Sequence, residues 1–177
     1  MGKNMTSPAK NKGNSFEREV AKFLTTIFNE HFNRNISGSG SYIGGNNIYR
    51  KQILSDSQVW NNQGDIICPD SFNGKLIIEC KFYKDFPFHH FLINKSIPLL
   101  DDWIKQQLTI VEDNNIWFIV FKINRVGSYI VIPEKIIDID DSLGNHSIYY
   151  NNGNRYIIAE FESFIKLYKN QIKEKCL

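Results

Sequence analysis

Asp65, Glu79 and Lys81 are the residues whose types and spacing could do chemistry. They lie in Gly64-Asp65-Ile66-Ile67-Cys68 and Leu76-Ile77-Ile78-Glu79-Cys80-Lys81, two strand-like segments separated by the turn residues Asp70-Ser71-Phe72-Asn73-Gly74. Strand side chains alternate, so Glu79 and Lys81 share one face while Ile78 and Cys80 point to the other. A turn centred on Phe72 sets Asp65 directly opposite Glu79, with Cβ atoms about 5 Å apart and Lys81 as the diagonal neighbour. Two carboxylates at that separation repel by roughly 3 kcal/mol at an effective dielectric near 20, so something positive must sit between them. Lys81 is one candidate and a divalent cation the other. An all-oxygen donor set favours Mg²⁺, with Mn²⁺ as the alternative, over zinc. Such an ion activates water and polarises a phosphoryl oxygen, while a lysine ammonium orients the nucleophile or offsets charge in the transition state. A cross-strand Glu–Lys pair is also ordinary surface chemistry. Both segments, however, are nearly unbroken apolar runs, which marks strands covered on both faces.

The elements that must position these groups follow from periodicity. Met1–Asn14 is polar and basic and reads as a flexible arm, leaving residues 15–177 as one domain. Ser15 can cap a helix to about Phe32, with Phe16, Val20, Phe23, Leu24, Ile27 and Phe28 at helical spacing. Residues 35–47 read as loop, and residues 48–60 are ambiguous. Gly64–Pro69 and Lys75–Lys81 are the strands above. Asp101 or Asp102 can cap a helix to about Glu112 with a stripe of Ile104, Leu108 and Val111. Ile116–Ile123, Ser128–Ile132, Ser147–Tyr150 and Arg155–Ile158 read as further strands, the last pair around the hairpin signal Asn-Asn-Gly-Asn. An amphipathic helix, about Ala159–Lys175, closes the chain. Helices alternating with strands in this order give an α/β domain with a mixed central sheet flanked by helices.

Composition sets the bounds. A hydrophobic fraction of 42% and a charged fraction of 23% are those of a folded globular chain. The net charge of +2 is too small to argue for nucleic acid, but its distribution is uneven: residues 1–51 carry eight Lys/Arg against three acids. Lys12, Arg18, Arg34, Arg50, Lys51 and, after the strands, Lys84 are therefore candidate phosphate contacts; each is equally well a solvated surface charge. Three cysteines without a C-x-x-C pair argue against a disulfide scaffold or a zinc site and fit a reducing, cytoplasmic setting. No apolar h-region opens the chain, and no apolar run is long enough to span a bilayer. His89 and His90 are adjacent rather than four apart, so they do not aim at one ion. The aromatic residues Phe82, Tyr83, Phe86 and Phe88 suit burial better than base stacking. P-loop, GxSxG and Rossmann fingerprints are missing from the sequence.

These residues resemble the PD-(D/E)XK nuclease superfamily, and within it the Holliday junction resolvases of archaeal, phage and RecU-like type. The likeness spans roughly Lys12 to Pro133. Lys12-Gly13-Asn14-Ser15-Phe16-Glu17-Arg18-Glu19 looks like the opening K-G-x-x-x-E-R, whose helical glutamate joins the metal site; that role maps onto Glu17. Ser37-Gly38-Ser39 looks like an S-G-S loop with a catalytic serine, which maps onto Ser39, with Ser37 as the alternative. Asp65, Glu79 and Lys81 match the central motif, with Gly64 in place of the usual proline. Phe86-Pro87-Phe88 looks like the F-P segment after E-x-K. A helical glutamine near the site maps onto Gln107 in preference to Gln106. The resemblance implies a restriction-endonuclease-like core of order αβββαβ, a homodimer, and Mg²⁺-dependent cleavage of four-way DNA junctions. Two other readings stay open: a restriction-type or repair endonuclease acting on duplex DNA, and a non-catalytic DNA-binding module on the same fold.

Overall fold

The computed structural model describes residues 8–36, 52–53 and 63–177. Helix α1 (Pro8–Phe28) opens the fold, followed by the two-residue strands β1 (Asn33–Arg34) and β2 (Ile66–Ile67) and the longer β3 (Leu76–Tyr83). Helices α2 (His89–Leu92) and α3 (Pro98–Leu108) lead to strands β4 (Ile116–Ile123), β5 (Gly127–Pro133), β6 (His146–Asn151) and β7 (Asn154–Glu160). Helix α4 (Phe161–Cys176) ends the chain. The order α1–β1–β2–β3–α3–β4 reproduces the expected αβββαβ core.

The five longer strands form one mixed sheet in the order β3-β4-β5-β7-β6. Strand β3 runs parallel to β4 in an eight-residue register from Leu76↔Ile116 to Tyr83↔Ile123, and the remaining pairs are antiparallel. The parallel pair needs a crossover, which α2 and α3 supply. Phe16 of α1 meets Phe82 of β3 edge-on, and Phe23 of α1 packs on Phe161 of α4. On the other face Tyr83 and Phe121 pack on Trp103 of α3. Adjacent residues of β3 thus feed opposite layers, and β4, with seven of eight residues buried, lies in the centre of the core.

Several boundaries differ from the sequence reading. Helix α1 begins at Pro8 rather than Ser15: proline costs nothing at a first helical position, and the poor helix formers Asn11, Gly13 and Asn14 weaken this turn without ending the helix. It stops at Phe28, where Asn29 turns left-handed with φ 54°. Helix α3 begins at Pro98, again with proline at its start, so its core stripe is Leu100, Trp103, Ile104 and Gln107, and Leu108 is exposed.

The largest correction concerns the segment carrying Asp65. It does not form a regular hairpin with β3; β2 instead pairs antiparallel with β1, through Arg34↔Ile66 and Asn33↔Ile67. Among the described residues, β3 is consequently an end strand of the five-stranded sheet. The connection between β2 and β3 is a short 3-10 turn, Asp70–Phe72, whose Phe72 is completely buried against Phe28 and Phe32. Driving that ring into the core bends the chain away from a tight hairpin. The Asn-Gly hairpin between β6 and β7 forms as its sequence dictates, with Asn152 at φ 48° and Gly153 at φ 76°. Among the described residues no helix is long and apolar enough to cross a membrane.

Candidate active site

Asp65, Glu79 and Lys81 come together, by a route the sequence did not predict. Asp65 N donates to Ile78 O at 2.8 Å, which places Asp65 level with Ile78 rather than Glu79. Its own carbonyl does not return the bond to β3 but accepts from Asn35 N at 2.8 Å. The side chain then turns back over β3, and Asp65 Oδ2 accepts the amide proton of Cys80 at 2.8 Å. Asn35, buried beside β2, also donates its side-chain amide to Gly64 O at 3.1 Å. Asn35 is a positioning residue with no motif to announce it.

Glu79 and Lys81 lie on the face of β3 that α3 covers. Lys81 Nζ bridges Glu79 Oε1 at 2.8 Å and Gln106 Oε1 at 2.9 Å. The second carboxylate oxygen, Glu79 Oε2, is buried without a partner. Asp65 is 8% exposed and Glu79 5%. Burial pushes the Asp65 carboxyl up to about 7; the charges of Glu79 and, less, Glu17 add to the rise, while the Cys80 amide and Lys81 oppose it. Burial raises the Cys80 thiol as well, and the neighbouring carboxylates raise it further, so this cysteine is an inert filler of the strand.

Of the two glutamines of α3, Gln106 and not Gln107 contacts Lys81. Gln107 lies on the core stripe of α3, 1% exposed, and neither of its amide atoms has a partner. The stripe expected from Ile104, Leu108 and Val111 shares only Ile104 with the observed one.

Glu17 sits in α1 close enough to raise Asp65, but its carboxylate is ion-paired with Arg34 Nε, and Arg34 also donates to Asn14 Oδ1 at 2.7 Å. Arg34 is thereby an internal partner of Glu17 and not a free cation. Lys12 and Arg18 are exposed on α1, and Lys84 lies 3.8 Å from Asp85 with both side chains in solvent. Ser39, its alternative Ser37, Arg50 and Lys51 lie outside the described residues. Phe86 and Phe88 pack on Phe121 and belong to the core margin. His89 and His90 meet ring to edge, and His90 Nδ1 lies 3.1 Å from Ser96 O.

Among the described residues, no three or more His, Cys, Asp or Glu side chains gather closely enough to hold a metal ion. Two features nevertheless suit a hard cation: the unpartnered buried oxygen of Glu79, and an aspartate that burial and a second carboxylate hold near its neutral form. A divalent ion at Asp65 and Glu79 would satisfy the first and relieve the second.

Comparison with curated proteins and with solved structures finds no match. Residues 8–174 match the family described as "Phage putative PDDEXK endonuclease". The match takes in both segments of the carboxylate site, the helix bearing Glu17 and the terminal helix α4. The chain belongs to this family of PDDEXK endonucleases.

Proposed function

We propose that the protein is a metal-dependent endonuclease that hydrolyses phosphodiester bonds of DNA at Asp65, Glu79 and Lys81. One observation carries the reading: in a chain of an endonuclease family, two buried carboxylates and a lysine converge from adjoining segments, with one carboxylate oxygen left unpartnered. Asp65 and Glu79 would hold Mg²⁺, or Mn²⁺, with Glu17 as a third ligand once it leaves Arg34. When bound, the ion supplies Lewis acidity toward the phosphoryl oxygen and a water acidic enough to attack at neutral pH.

The chain's own groups do the rest. Glu79 Oε1 and Gln106 Oε1 fix the Lys81 ammonium, so its remaining N–H can point at the attacking oxygen or at the negative charge that builds on phosphorus. The Cys80 amide fixes one oxygen of Asp65 and leaves the other to the ligand. Burial removes competing water and strengthens each of these contacts.

The proposed substrate is branched DNA, a four-way junction cut by a homodimer that sets one site on each of two opposed strands. The blocks Lys12–Glu19 and Ser37–Ser39 support this choice. The test incubates purified protein with labelled four-way, flap and linear duplex DNA, with and without Mg²⁺. Metal-dependent paired nicks in the junction are expected, lost in Asp65→Asn. Equal cutting of linear duplex would replace the junction with a duplex substrate. No cutting of any DNA with Mg²⁺ or Mn²⁺ would leave a non-catalytic binding module.

A further inference from the structure

Helix α1 and the residues around β1 line a groove of about 580 Å³. Four of its lining residues, Arg18, Lys22, His31 and Arg34, are basic or become so on protonation, and none is acidic. We propose that this groove binds the sugar–phosphate backbone of DNA beyond the scissile bond, with phosphates set against Arg18, Lys22 and His31. The inference rests on the nuclease reading and extends it from the reacting phosphate to the path of the strand.

Three observations support it. Arg18 and Lys22 stand one helical turn apart, so the two cations share one face of the helix and repel each other there. Neither has an acidic partner among the described residues. Of the two acids that flank Arg18 in sequence, Glu19 is committed to Lys122 by bonds of 2.7 and 2.8 Å and Glu17 to Arg34. The groove is also linked to the active site through one ion pair. Arg34 lines it and holds Glu17, and Glu17 is close enough for its charge to act on Asp65. A polyanion lying along Arg18 and Lys22 would reach Arg34 next and compete with Glu17 for its guanidinium. An acidic protein would satisfy the charges too, but it has no reason to lie on a path that ends at a phosphodiesterase site.

The test measures binding of fluorescein-labelled four-way and duplex DNA to the full chain by fluorescence anisotropy, in EDTA, across a salt series. The Arg18→Glu/Lys22→Glu variant is expected to lose at least about tenfold in affinity for both DNAs, and the slope of log Kd against log salt is expected to fall by about two. The neutral variant Arg18→Gln/Lys22→Gln should show the same loss of slope with a smaller loss of affinity, which guards against misfolding of the charge-reversed chain. Unaltered affinity and slope in both variants would overturn the groove while leaving the nuclease intact, and would assign its cations to a ligand other than nucleic acid. Wild-type protein that neither binds nor cuts DNA would overturn both.

Discussion

Gly64 and Ile78 are in backbone contact across the two segments that carry the site acids. A Cβ on Gly64 would lie 2.6 Å from the Ile78 carbonyl oxygen, and Gly64 itself is at φ +70°. Only glycine meets both conditions without strain. The position usually written as proline in the resembling family cannot be proline here, since a ring that fixes φ near −65° would unseat Asp65. Gly64→Ala is expected to destabilise the fold by about 2–4 kcal/mol and to lower cleavage, because any relief of the clash moves the aspartate. Urea denaturation followed by circular dichroism checks the first effect. Wild-type stability in the alanine variant would show that the two backbones do not press together.

Asp65 makes the unliganded protein less stable as pH rises. Its folded-state carboxyl titrates near 7 against an ordinary value of 3.8, so between these limits the folded chain holds a proton that the unfolded chain has lost. The stabilisation is complete below about pH 4 and gone above about pH 7. Asp65→Asn keeps the acceptor for Cys80 and removes the charge. In EDTA at pH 8 it is expected to stabilise the fold by about 1–3 kcal/mol while lowering DNA cleavage by at least about a hundredfold. A variant less stable than wild type at pH 8 would mean that Asp65 is not under electrostatic stress.

Metal binding should compete with that same proton. Calorimetric titration with Ca²⁺ or Mn²⁺ is expected to show apparent affinity rising about tenfold per pH unit below 7 and levelling above it. Affinity that does not vary between pH 5.5 and 8 would remove Asp65 from the ligand set.

Gln106 and Gln107 should part company under mutation. Gln106→Ala removes one of the two acceptors that hold Lys81 Nζ and is expected to reduce cleavage about tenfold with little change in stability. Gln107→Leu replaces a buried, unpartnered amide by an apolar side chain of similar size; it is expected to leave cleavage intact and to stabilise the fold by about 1 kcal/mol. The opposite pattern would return the site glutamine to position 107.

The strands were legible wherever apolar alternation was strong or turn chemistry specific. Ile116–Ile123 was bounded correctly by its apolar run, and Asn152-Gly153 forced its hairpin. The trio Asp65, Glu79 and Lys81 was legible from residue type and spacing. Its register was not, because the turn between them is set by a tertiary event, the burial of Phe72 between Phe28 and Phe32, which local sequence does not encode. Arg34 read as a free cation because the ion pair with Glu17 joins residues seventeen apart on different elements. Asn35 passed unnoticed because it acts by holding Gly64 and Asp65, far away in sequence, and a lone asparagine in a loop carries no pattern.

The two halves of the site are anchored very differently. Glu79 and Lys81 ride on a strand registered to its neighbour over eight residues, whereas the Asp65 backbone is tied, among the described residues, through Asn35 N and Ile78 O. A lightly tethered segment opens at lower free energy than a fully laddered one. Warming should therefore silence the enzyme before it melts: the aspartate drifts off while the glutamate and lysine stay in place, and cooling restores it without refolding.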